Sequence, residues 1–157
     1  MAEDWDTVSY MSFAPSVQRS FRLDRRTAEQ LDAAAAASGE SRNALAERLL
    51  REALRLEEHP MIRFRTGAAG RREPVLAGTR LLVRDVIATL REHGNHVDAT
   101  ADYFGVPRGT LVAAAGYYAD FADEVDADAQ LAEAAAQRER ERWERQRALL
   151  GRDEAGA

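Results

Sequence analysis

The chain of 157 residues contains no cysteine and no lysine, and has only three histidines and four prolines. Without cysteine it can form neither disulfides nor thiolate zinc sites. No stretch resembles an apolar run of about 18 residues that would cross a bilayer, and no basic, apolar leader is visible. We therefore expect a soluble, cytoplasmic protein with no membrane contact. All 22 basic residues are arginine. No physical task requires arginine at every exposed position, so this bias reads as codon composition. What the chain does have is 45% hydrophobic residues, enough for one ordinary domain or two small ones.

The net charge of −5 argues against a nucleic-acid partner only if it is spread evenly. It is not: residues 1–15 carry −3, residues 126–157 carry −2, and the two segments between are neutral. Inside the first neutral segment, residues 16–26 carry +3. A basic stripe therefore survives in an acidic chain. Residues 1–15, MAEDWDTVSYMSFAP, have no apolar period and read as a disordered arm.

From Ser16 to Glu58 the pattern is one short strand and two amphipathic helices. Val17, Phe21 and Leu23 alternate with Gln18, Ser20 and Arg22, after which the apolar period lengthens to three and four. Asp24 is placed to cap the first helix and Gly39 to end it. Ser41 is placed to cap the second, whose stripe includes Leu45, Leu49 and Leu54. A lone strand leaves both edges unsatisfied, and the simplest partner is a copy of itself across a two-fold axis. The pattern R-S-F-R-L-D, helix, G-E-S, helix resembles the ribbon-helix-helix repressors of the MetJ/Arc/CopG superfamily over a little over 40 residues.

That resemblance implies a homodimer, or a higher homo-oligomer, binding double-stranded operator DNA. Gln18, Ser20 and Arg22 would face base edges in the major groove, while Ser41, Arg42 and Asn43 would hold a phosphate. Phe21, Leu23, Leu31, Leu45 and Leu49 would form the shared core.

The helical period breaks at His59-Pro60. Met61, Ile62 and Phe64, a turn with Gly67 and Gly70, and Val75-Leu76 predict a hairpin. Three helices are expected next: 84–93 closed by Gly94, 99–104 opened by Asp98, and 108–124 after Pro107. Ala101, Gly105 and Leu111 have the spacing of a helix-turn-helix. Its second helix offers few donors to bases and is expected to pack instead. Arg80, in a turn, is expected to tie the hairpin to the helices, with a ligand-binding role as the alternative.

Residues 59–125, through E-P-V-L-A-G-T-R-L-L-V-R-D-V and D-Y-F-G-V-P-R-G-T-L, resemble the bacterial domain-of-unknown-function family 433. Its members look like antitoxins paired with PIN-like ribonuclease toxins, so the resemblance implies a toxin partner.

The tail, 126–157, reads as one polar helix, with Leu131, Ala134 and Ala135 continuing the preceding core. Arg138, Arg142, Arg145 and Trp143 are its candidate toxin-binding residues, since inserted arginines would compete with the metal ions of a nuclease. Nothing reads as an enzyme: His93-x-x-His96 is split by Gly94 with no third ligand, and no nucleophile meets a base. No catalytic residue, metal or cofactor is expected. The expected fold is mainly α with a short β element (α+β): a ribbon-helix-helix dimer module, a small β-hairpin with a helix-turn-helix-like helical domain, and a C-terminal helix. The expected function is a type II antitoxin that represses its own operon; the alternative is a ribbon-helix-helix regulator with no toxin.

Overall fold

The computed structural model describes residues 17–67 and 70–150. The expected arm, 1–15, lies outside the described residues. The chain is mainly helical with one small antiparallel sheet. Its elements are α1 (Arg25–Ser38), α2 (Arg42–Glu58), β1 (Ile62–Thr66), β2 (Arg72–Leu76), α3 (Val83–Glu92), α4 (Val97–Phe104), α5 (Arg108–Asp120) and α6 (Ala122–Leu150). It divides into two compact units, Met1–Ala46 and Glu47–Ala157. The division falls inside α2, earlier than the boundary expected after Glu58. The second half of α2 is tied by Glu52 to Arg72 of β2 and by Arg55 to Glu124 of α6.

In the first unit, local chemistry sets the ends of α1. The Asp24 carboxylate accepts from the Thr27 amide at 3.0 Å and the Thr27 hydroxyl at 2.6 Å, and Gly39 turns the chain out at φ 72°. The hydrogen bonds from Thr27 hold the Asp24 carboxyl below its usual value. Ser41 Oγ accepts from the Ala44 amide at 3.2 Å. Both expected caps are in place. The expected strand over 17–23 is not: residues 17–24 have neither helix nor strand bonding and are all exposed. One segment cannot form a ladder alone, and no strand pairs with it among the described residues.

The second unit is built on the expected hairpin, with Ile62 opposite Leu76, Phe64 opposite Pro74 and Thr66 opposite Arg72. Side chains alternate across a strand, so Ile62 and Leu76 share the face that meets the core of Val83, Val86, Leu111, Ala114, Tyr117 and Val125. The other face carries Glu73, whose carboxylate is held by Arg84 at 2.9 Å and Arg65 at 3.4 Å. Gly67 is needed beside it, because a Cβ there would lie 2.4 Å from Glu73 Cδ. The outer edge of β1 is covered by arginines. Arg63 donates to the Ile62 and Pro60 carbonyls, and Arg72 to that of Phe64, which blunts an otherwise open edge.

Three helical expectations need correction. Asp98 does not cap α4; the N-cap is His96, and Asp98 sits in the first turn with Arg108 at 3.0 Å. The helix from 108 does not reach 124: it stops at Phe121 (φ −131°), whose ring packs 4.8 Å from that of Tyr117 and under the Arg55 guanidinium. Leu131, Ala134 and Ala135 are exposed and add nothing to the core, because the buried contacts of α6 end at Val125. Gly105, at φ 65°, makes the left-handed turn between α4 and α5 as expected, with Ala101 and Leu111 buried on either side. Arg80 is the other correction: it is exposed and makes no hydrogen bond or ion pair among the described residues. The turn closes without it, through Thr79 Oγ1 to the Leu76 carbonyl.

Tyr117 is fully buried. Its hydroxyl accepts from Arg55 Nη1 at 3.1 Å, and Arg55 also grips Glu124 with two bonds of 2.6 and 2.7 Å. Burial pushes the phenol up to about 12 from 10.0, with the Arg55 charge pulling the other way. Below pH 10 both folded and unfolded chains keep this proton; between 10 and about 12 the unfolded chain loses it first, so stability falls as pH rises. Tyr117→Phe should cost about 1 to 2 kcal/mol at neutral pH. Thermal melts across that alkaline window should show a shallower decline for the variant than for the parent.

Candidate nucleic-acid interface and an exposed helix

Gln18, Ser20 and Arg22 are exposed and make no side-chain hydrogen bond or ion pair among the described residues. The apolar residues between them are equally uncovered: Val17 is 67% exposed, Phe21 72% and Leu23 53%. Among the residues expected in a shared core, one chain alone buries Leu45, half-buries Leu31 and leaves Leu49 exposed. Among the described residues of the first unit, Ala35 and Leu45 are buried.

At the turn between α1 and α2, Gly39 lets the chain reverse so that Ser41, Arg42 and Asn43 face the last turns of α1. A shallow open cleft there is lined by Asp32, Ala35, Ala36 and residues 39–43. Free amides at the start of α2 give this end of the cleft a partial positive charge. Arg42 does not stand free: its Nε donates to Asp32 Oδ1 at 2.6 Å. The pattern of the sequence did not reveal that contact, since Asp32 sits on the polar side of α1 and only the Gly39 turn brings it to Arg42. The pair is exposed on both sides, so holding Arg42 there contributes little stability.

In the second unit, the remaining candidates lie on α6, a helix of 29 residues, roughly 43 Å long. Every residue from Gln137 to Leu150 is exposed. Arg142 and Arg145 approach Glu139 and Glu141 only at 3.9 and 4.0 Å. Arg138 has no ion pair or hydrogen bond among the described residues. Trp143 is 58% exposed, with Arg147 stacked 5.3 Å from its ring. Arg140, by contrast, is engaged with Glu133 at 2.6 Å. The structure thus brings Arg138, Arg142, Trp143 and Arg145 together on one exposed stretch of helix.

His93 is occupied structurally, with Nδ1 3.2 Å from Thr100 Oγ1 and its ring edge-on to Tyr103. Sequence reasoning missed the charged cluster around β2. There Asp128 meets Arg71 at 3.0 Å, and burial raises its carboxyl above the usual value against the pull of Arg71 and Arg84. At Glu52 burial acts in the same upward direction, but the hydrogen bond and charge of Arg72 and the charge of Arg48 outweigh it and lower the carboxyl. His59 Nε2 lies 3.0 Å from Asp120 Oδ2 but off the line a hydrogen bond needs, and it is buried without a donor or acceptor partner. Among the described residues no three His, Asp or Glu side chains converge as metal ligands, and no helix is long and apolar enough to cross a membrane.

No protein family, no characterised protein and no solved structure gives a significant match to this chain.

Because residues 137–150 bury nothing, deleting everything after Ala136 should leave the melting transition of the second unit within about 0.5 kcal/mol of the parent. Calorimetry of the truncated chain checks this; a larger loss would mean that the distal helix holds the fold.

Proposed function

We propose that the protein is a ribbon-helix-helix DNA-binding dimer that serves as the antitoxin of a toxin–antitoxin pair, repressing its own operon and neutralising a PIN-like ribonuclease. The observation that carries the reading is the imbalance in the first unit. Among its described residues two are buried, too few to stabilise α1 and the start of α2, while Val17, Phe21 and Leu23 remain uncovered on a segment without helix or strand bonding. Burying such side chains contributes about 1.5 to 3 kcal/mol each. A second copy, pairing the two segments antiparallel, satisfies the backbone and covers the apolar residues in one step.

Pairing turns the opposite face into a regular row of Gln18, Ser20 and Arg22 from each chain. A two-stranded ribbon fits the major groove, where arginine pairs with guanine and glutamine with adenine. Arg42 then exchanges Asp32 for a phosphate at the start of α2. The helix-turn-helix-like pair α4 and α5 takes no part in reading bases on this account, since the exposed face of α5 is mostly glycine, alanine and valine. The toxin role rests on α6. Arg138, Arg142 and Arg145 would enter the carboxylate cluster that holds a nuclease's metal ions, and Trp143 would be the residue the partner desolvates. One observation favours the second reading, a regulator with no toxin. Glu139 and Glu141 stand next to these arginines and offset much of their charge.

Gln18→Ala and Arg22→Ala should each cost about 1 to 3 kcal/mol of operator affinity and relax specificity, whereas Arg42→Ala should weaken all sequences alike and reduce the salt slope by about one. Asp32→Asn should act the opposite way from Arg42→Ala, since it frees the guanidinium for phosphate. Binding titrations at several salt concentrations separate these outcomes. Unchanged operator affinity in both Gln18→Ala and Arg22→Ala removes the ribbon as reader. Co-expression with the product of the adjoining reading frame tests the toxin: co-purification that survives deletion of 137–150 would move the role from α6 to the rest of the second unit.

A further inference from the structure

Helix α5 contains two glycines, at 109 and 116, that no contact among the described residues requires. Neither has a positive φ, and a Cβ placed on either meets no atom within 4 Å. Glycine within a helix is unfavourable relative to alanine, so a position that holds one without local cause points to a neighbour outside the chain that approaches the backbone closely. Both glycines lie on an exposed arc with Arg108, Val112, Ala119 and Asp120. At about 100° per residue these six span about 120°, one face of the helix. The opposite face carries the buried Thr110, Leu111, Ala114 and Tyr117. Val112, 48% exposed, is the large apolar side chain on the free face.

We propose that this face packs antiparallel against α5 of a second copy, as a self-association surface separate from the segment at residues 17–24. The face is complementary to itself in charge and in size when reversed about Ala114. A two-fold axis there sets Arg108 against Asp120, Gly109 against Ala119 and Val112 against Gly116, each twice. The large side chain meets the gap left by glycine, and each end pairs opposite charges. A parallel arrangement would instead set Arg108 against Arg108 and Val112 against Val112. Small residues along the contact allow the two helix axes to come close, and the helix dipoles then oppose each other. Arg108, paired with Asp98, is 64% exposed, and Asp120, which lies near His59 Nε2 without a hydrogen bond to it, is 61% exposed. Exchanging the exposed Arg108–Asp98 pair costs little. A nucleic acid is disfavoured as the occupant, because the face offers one arginine and ends in an aspartate.

Sedimentation equilibrium of the full chain tests the proposal. Gly116→Leu fits the open space in one copy and should keep the helical circular dichroism and melting temperature while removing one level of association. Arg108→Asp should weaken that association about ten-fold. Combining Arg108→Asp with Asp120→Arg should restore it, which a merely destabilised helix could not do. Phe21→Asp identifies the other interface: it should abolish association through the arm and leave association through α5 intact. A mass in Gly116→Leu equal to that of the parent, or a charge-reversed pair no more associated than Arg108→Asp alone, overturns the proposal.

Discussion

A single guanidinium carries the architecture of the second unit. Arg55 is the one side chain of α2 that reaches Tyr117 of α5 and Glu124 of α6, and it covers the ring of Phe121, where α5 ends. The arrangement is circular in its dependence. The Tyr117 ring packs edge-on to Phe64 of β1 and to His59, which fixes the hairpin against the helices. Its hydroxyl is satisfied only because Arg55 is there, and Arg55 tolerates its half-buried place only because Glu124 neutralises it. Removing one partner of such a group leaves a charge or a phenol without its bond, which costs more than the bond itself contributes. The second contact of α2, Glu52 with Arg72, repeats the device at the edge of the hairpin and also shields the Phe64 carbonyl.

Among the described residues the first unit has no equivalent. Its helix ends are well made, but a cap contributes to a helix and does not supply a core. One unit closes on itself, and the other leaves Val17, Phe21 and Leu23 uncovered, which supports the proposed dimer. The proposed antiparallel pair would answer the requirement of the backbone and that of the side chains together, and would place arginine and glutamine in register.

Features set by neighbouring residues were legible in the sequence. Asp24, Gly39, Ser41 and Gly105 act within a few positions of themselves, and each does what its residue type dictates. The hairpin was legible for the same reason, from alternation and turn glycines. Contacts between distant positions were not. Nothing local to Arg55 announces Glu124, and Asp32 gives no sign of Arg42. The break at Phe121 was missed because alanine, tyrosine and aspartate continue a helical pattern across it, and only the packing of that ring on Tyr117 and Arg55 ends the helix. Arg80 was misjudged because a turn arginine often caps carbonyls, whereas here Thr79 takes that place. Of the candidate site, the residue types and their exposure could be read in advance. The Asp32 partner of Arg42 and the looseness of the α6 ion pairs could not.

The proposed pairing sets the segments 17–23 of two copies antiparallel, with the two-fold axis at their midpoint, Ser20. The chain has no cysteine, so Ser20→Cys introduces a thiol with no competitor. Cross-strand neighbours in an antiparallel pair have Cβ atoms about 4.5 to 5.5 Å apart, close to the span a disulfide needs. Mild oxidation of the variant, followed by non-reducing electrophoresis, should convert most of the protein to a covalent dimer at micromolar concentration, and Phe21→Asp in the same background should abolish it. A chain that stays monomeric on the gel while sedimenting as an oligomer would contradict the account, because the copies would then be associating without the ribbon.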